Sequence, residues 1–272
     1  MGVSSESLFT TDSILRRVIR EKVVGLSGPR ALLMQAAHPV AFAGFFAHTG
    51  ALDEPYKRLA RTARVLDLVA FGPAEDARRA TRRVRAMHRR VRGELAAPAG
   101  RFAAGTPYAA DDPALLLWIL AALADSAAVV YQRYVTALSA AEREALWADY
   151  RLVGRQFGLR AADMPPTWDD FQAYILDMVE GEDLHVTEEA RDLAVQIVMR
   201  PPVPLRMRPV LRLANQITIG MLPPRLRRQY GFAWDPVRAV AIRGGAEYAK
   251  RFVVPLLPER LRLVPSARRA AA

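Results

Sequence analysis

The chain contains no cysteine. Disulfides, thiolate zinc sites, iron–sulfur clusters and cysteine nucleophiles are therefore excluded. Lysine is nearly as scarce, with only Lys22, Lys57 and Lys250, so the net charge of +11 is carried almost wholly by arginine. Histidine is confined to His38, His48, His88 and His185. No Walker loop or dinucleotide glycine pattern occurs, and "GLSGP" at Gly25 does not have the spacing of a nucleophile elbow. The N-terminus lacks the basic-then-apolar build of a secretory signal, and Glu6 stands where a myristoylation motif needs Ser or Thr. The longest apolar run, from Pro113, is interrupted at Asp125 and falls short of a clean membrane span. These features lead to the expectation of a cytoplasmic protein without a transmembrane segment.

Apolar residues make up 51% of the 272 residues and charged residues 25%, the balance of a globular chain rather than a disordered one. A fold of this size buries roughly 75% of the surface its unfolded chain exposes, enough for an internal cavity. The recurring hydrophobic period is helical. Residues 12–25, 29–48, 55–71, 74–96, 113–138, 140–158, 168–180, 188–199, 205–221 and 235–256 carry apolar residues three and four apart. Alternating strand patterns are essentially absent. Proline and glycine clusters punctuate these segments, as in "FGPAED", "ADMPPTW", "RPPVP" and "LPPR". The expectation is an all-α fold of about ten helices in a single domain spanning residues 1–272. The stretch 96–112 reads as a long functional loop.

One short stretch raises a chemical question: "RATRRVRAMHRRVRG", residues 79–93, is mostly arginine yet holds His88. On a continuous helix, Val84, Met87, Val91 and Leu95 define one face with His88, while Arg82, Arg85, Arg89 and Arg92 point elsewhere. The imidazole is thus expected to face the core and the arginines to form a solvated side. In "GPRALLMQAAHPVAFAGFFAHTG", Met34, His38, Ala41, Phe45 and His48 fall on one stripe, with Pro39 expected to bend the helix. Two histidines, an aromatic ring, a methionine and small neighbours make a wall suited to a flat ligand.

Two other constellations point elsewhere. "EDLH", Glu182 to His185, has the spacing of a di-iron bundle ligand pair, but those sites need a second such pair and the sequence has none. The sequence pI near 10.6 and the arginine-dense helix suit a basic helical module that binds nucleic acid. Against that alternative, the basic residues are spread over the chain and aromatic residues are not interleaved with the arginine run.

The blocks "GPRALLMQAAHPVAFAGFFAHTG", "YKRLARTARVLDLVAFG", "VRAMHRRVRG", "YAADDPALLLWILAALADSAAVVYQRY" and "ITIGMLPPRLRRQYGFAWDP" resemble, in this order, the DUF2236 family. That is the haem b oxygenase domain shared by fungal MpaB proteins and the bacterial latex clearing protein. The resemblance covers roughly residues 15–240.

The resemblance implies a globin-like, all-α pocket for haem b in which a histidine binds the iron and dioxygen or peroxide reacts on the other side with a small or apolar organic substrate. It matches His88 to the axial iron ligand and Arg58, Arg61 and Thr62 to the distal side, and a non-catalytic haem-binding protein is the alternative within that fold. Met34, Phe45, His48, Val84 and Met87 are the further candidates for contact with the cofactor, and His38 for a catalytic role. Arg61 stands where the rubber-cleaving branch has lysine, and Leu120, in "WILA", where relatives often have histidine. Arginine stays charged and has no lone pair to give. An iron with an open sixth position is the consequence expected.

Overall fold

The architecture comes from a computed structural model, which describes residues 7–47 and 55–270; the side chains of residues 46, 47, 55–59 and 194 lie outside that description. The fold is all-α: 71% of it is helical, with fourteen α-helices and one two-stranded ribbon. In chain order these are α1 (Ile14–Ile19), α2 (Ser27–Ala36), α3 (Pro39–Ala47), α4 (Pro55–Phe71), α5 (Ala74–His88), β1 (Arg92–Glu94), β2 (Pro107–Ala109), α6 (Pro113–Tyr134) and α7 (Ala140–Phe157). There follow α8 (Trp168–Glu180), α9 (Glu188–Leu193), α10 (Arg208–Met221), α11 (Pro224–Gln229), α12 (Pro236–Tyr248), α13 (Glu259–Arg262) and α14 (Pro265–Ala270). Turns of tighter or wider pitch extend several of them.

Local chemistry sets many of these boundaries. Asp112 caps α6 by accepting from the Ala114 and Leu115 amides, with Pro113 at the first helical position. Ser139 and Glu142 form a reciprocal capping box on α7, and Gly158, at φ +110°, closes that helix. Thr167 caps α8, and Asp235 with Pro236 starts α12.

Helix α6 is long and apolar enough to cross a membrane by composition, yet it runs through the core, with two thirds of its most apolar window buried. One side, including Leu117, Leu120 and Ala124, joins a core with Trp147, Phe171 and Val18. Trp118 and Ala122 join a second core with Leu33, Met34, Leu193 and Leu226. Ala121, Ala122, Ala124, Ala127 and Ala128 keep α6 slim, and α2 packs along it. Between the two helices the Arg30 guanidinium meets Asp125 at 2.7 Å and donates to Ser126 Oγ at 2.7 Å and to the Met221 carbonyl, at the end of α10, at 2.8 Å. Both charged residues are buried.

Two expectations from the sequence are corrected. The segment 29–48 is two helices, α2 and α3, because Pro39 begins a new helix instead of bending one. The segment 74–96 stops at His88, and residues 92–94 leave the helix to pair antiparallel with 107–109. The pairing buries Tyr108, whose ring passes so close to Gly93 that a Cβ there would lie 2.5 Å from the hydroxyl oxygen. Only glycine fits that approach.

Removing one partner of a buried ion pair leaves the other charge unpaired in an apolar setting. Arg30→Leu is expected to lower unfolding stability by about 3–5 kcal/mol. Arg30→Leu combined with Asp125→Leu should recover much of that loss. Denaturant midpoints of the two variants check the difference.

Candidate functional site

Helices α4 and α5 carry most of the residues singled out by sequence, and Gly72 and Pro73 join them. Their contribution to the core is uneven. Val69 and Ala70 of α4 are buried and Val65 and Leu68 partly so, whereas Ala60, Arg61, Thr62, Ala63 and Arg64 are all exposed. Five consecutive exposed residues exceed one helical turn, so no side of that turn is covered. On α5, Ala77 and Thr81 are buried near the start, while Val84 and His88 are half-buried and Met87 is 52% exposed. Residues 60–64 of α4 and Met87 near the end of α5 are thus left open.

His88 is the final residue of α5, with Nδ1 shielded from solvent. Val91 and Leu95 do not continue its face, because the chain has already left the helix. On another face of the same helix end a shallow, open concavity of about 430 Å³ is lined by Arg83, Ala86, Met87, Arg90 and Val91, without His88. Its lining joins apolar surface with two guanidinium groups, and it is open to solvent. Arg78, Arg79, Arg82, Arg85 and Arg89 of the same helix are exposed, as expected of a solvated face. Arg83 and Arg90, which also line the hollow, were not distinguished from them by sequence. Their spacing about Met87, four residues before and three after, puts them on its side of the helix and is the signal that could have found them.

Of the wall expected from Met34, His38, Ala41, Phe45 and His48, Met34 belongs to the second core and Ala41 and Phe45 pack against it. Met34 is fully buried between α2 and α6, its sulfur accepting from the Ser126 hydroxyl at 3.9 Å. Phe45 stacks on Phe42, with centroids 4.6 Å apart, and packs against the second core. His48 lies outside the described residues, and Arg58 is on the first turn of α4 with its side chain outside them. Leu120 is buried in the first core. His185 is exposed in the loop before α9, and its backbone amide donates to the Ala37 carbonyl at 2.7 Å.

His38 is the residue whose local role differs most from its sequence reading. It immediately precedes Pro39, and its Nδ1 accepts the Ala41 amide at 3.3 Å, capping α3. Phe102 stacks over the ring at 5.5 Å, and the loop carrying Phe102 is held by an Arg101–Asp183 ion pair. Gly100, at φ +58°, lets this loop pass close to His185. An imidazole that accepts at Nδ1 carries its proton on Nε2, so the capping tautomer offers a donor there and no lone pair for a metal. Among the described residues, no three His, Asp or Glu side chains cluster in a way that could hold a metal ion.

Burial is the main cause that lowers the His38 pKa from 6.5 to about 4; nearby Asp183 opposes the shift and Arg101 adds to it. Between those values the unfolded chain binds a proton that the folded chain refuses, so stability falls as pH drops from 6.5 to about 4. The full effect is about 3 kcal/mol. His38→Asn keeps a capping oxygen and should flatten this dependence, as read from urea midpoints across that pH window.

Comparison with known proteins returned no match among curated proteins or solved structures. A family model described as the ER-bound oxygenase mpaB/B'/rubber oxygenase catalytic domain matches residues 16–251. That span takes in α4, α5, the ribbon and the whole of α6. The chain therefore belongs to the mpaB/rubber oxygenase catalytic-domain family, and its activity is of oxygenase type.

Proposed function

We propose that the protein is a haem b-dependent oxygenase acting with dioxygen or peroxide on a small or apolar organic substrate, and that His88 is the axial ligand to the iron. What supports this reading is the family match over residues 16–251 together with His88, a half-buried imidazole at the end of α5 whose Nδ1 is shielded from solvent. Haem b needs one axial imidazole, apolar surface against the macrocycle, and cations for its two carboxylates. His88 would supply the first; Met87 is exposed apolar surface at the same helix end, and the arginines of α4 and α5 are candidates for the third. Met87 and the uncovered turn Ala60–Arg64 are surfaces that a flat group inserted between α4 and α5 would cover. Bound there, haem supplies the redox-active iron that dioxygen chemistry on an organic substrate requires.

The remaining roles fall to this chain's own side chains. Arg58 and Thr62 are four residues apart on α4 and share a face, with Arg61 beside them. The Arg61 guanidinium is a permanent donor that stabilises negative charge developing on the reacting atoms and cannot itself ligate iron. Thr62 adds a hydroxyl that can donate or accept. Leu120 is locked in the core, so α6 contributes no ligand at that position. Neither Arg61 nor Leu120 would add a ligand to an iron that His88 would hold.

The pure protein should show a Soret band and about one haem per chain. His88→Ala should lose most of that haem; unchanged content and an unchanged iron–histidine signature would assign the ligand to another residue. Arg58→Leu and Arg83→Leu should each weaken haem retention by about tenfold, the worth of a charge-assisted hydrogen bond, while Arg79→Leu, exposed on the same helix, should not. Equal losses in all three would mean that the arginines act through net charge alone.

A further inference from the structure

Apolar side chains of α10, α12 and the turns that extend them are exposed in numbers that a water-facing surface does not need. Leu205, Met207, Val210 and Leu213 lead into and along the start of α10, with exposures from 44% to 72%. Val237, Val240 and Tyr248 run along α12, and Phe252 and Leu256 follow in its extension; Leu256 is 81% exposed. The two helices pack against each other, so these side chains belong to neighbouring elements.

Helix α12 is apolar on both sides. Ala239, Ile242 and Ala246 face inward, while Val237, Val240, Gly244 and Tyr248 form one outward stripe. A Cβ placed at Gly244 or Gly245 would meet nothing within 4 Å. Arg238, Arg243 and Glu247 lie between these two faces, and the outward apolar stripe, continued by that of residues 205–213, is of the kind that a partner surface covers.

Charge identifies what covers it. Between Asp192 and Asp235 the sequence holds no acidic residue, yet it has Arg200, Arg206, Arg208, Arg212, Arg225, Arg227 and Arg228. In "LRMRPVLRL", residues 205–213, three arginines alternate with the exposed apolar residues, and none of the three has a carboxylate partner among the described residues. A second copy of this chain would bring these like charges together, in a protein already at +11. A bilayer surface bearing anionic lipid meets both requirements, taking apolar side chains into its interface and guanidinium groups against its headgroups. Helix α6, the one candidate span among the described residues, is buried in the core and plays no part in this contact.

We propose that the face formed by residues 205–213 and the outward stripe of α12 docks the protein peripherally on an anionic lipid bilayer. The contact is interfacial, with Val210, Leu213, Val237 and Val240 entering the headgroup region and Arg206, Arg208 and Arg212 pairing with lipid phosphates. It does not depend on the identity of the cofactor.

Co-sedimentation of the full chain with phosphatidylcholine vesicles, with or without phosphatidylglycerol, tests this directly. Binding should require phosphatidylglycerol and weaken with added salt. The triple variant Arg206→Ala, Arg208→Ala, Arg212→Ala should lose about fivefold in affinity per arginine removed. A triple variant of equal charge on α5, Arg78→Ala, Arg82→Ala, Arg89→Ala, should bind nearly as the parent does. Val210→Ser with Leu213→Ser should cost about tenfold or more while leaving the unfolding midpoint in place. Equal losses from the two arginine triples, or no dependence on the apolar pair, would overturn the proposal. A parent chain that is dimeric by analytical ultracentrifugation and becomes monomeric in the Val210→Ser, Leu213→Ser variant would overturn it too, assigning the face to a second copy.

Discussion

A carboxylate in the middle of an apolar helix must be paired or the helix cannot be buried. Asp125 imposes that constraint on α6, and Arg30 satisfies it. Because the guanidinium has donors to spare, it also takes Ser126 on the same helix and the last carbonyl of α10. One side chain thus fixes α2 against α6 and the end of α10 against both. Alanines along α6 let α2 approach closely enough for that geometry. With α6 positioned, the two apolar cores form on its opposite sides.

The candidate site sits at the margin of this framework. Helix α4 is anchored by its second half and α5 by its first, near the turn at Gly72 and Pro73, and away from that turn both helices lose their covering. Arg61, Thr62 and Met87 are exposed there, and His88 is half-buried. Incomplete packing of this kind is what a bound group would complete. His38 belongs to a different structure, the cap that starts α3 under the loop carrying Phe102.

Arginine serves several physical ends in this chain. Arg30 is a buried connector and Arg262 clamps the C-terminal segment to the buried Glu21 at 2.7 Å. Arg83 and Arg90 border the hollow. Arg206, Arg208 and Arg212 interrupt an exposed apolar surface. The sequence presents these as one compositional excess. Their environments differ because partner, burial and neighbouring apolar surface are properties of position in three dimensions.

The sequence by itself determined the all-α class and the bounds of α4 and α8, because a 3.6-residue period with proline, glycine and capping residues at its ends is local information. It also drew attention to His88, an imidazole within an arginine-rich helix, whereas the Arg58–Thr62 turn stood out only through the resemblance of its block to the family. Only the tertiary structure decided where α5 ends. Its apolar period runs on through Val91 and Leu95, but pairing with residues 107–109 and the burial of Tyr108 against Gly93 outweigh one more helical turn. The same holds for Met34 and His38, which share a stripe only if the helix is continuous. Pro39 at the first position of α3 separates them, leaving one in the core and the other as a cap. Periodicity reports which residues can share a face, whereas the face they occupy depends on contacts made by distant parts of the chain.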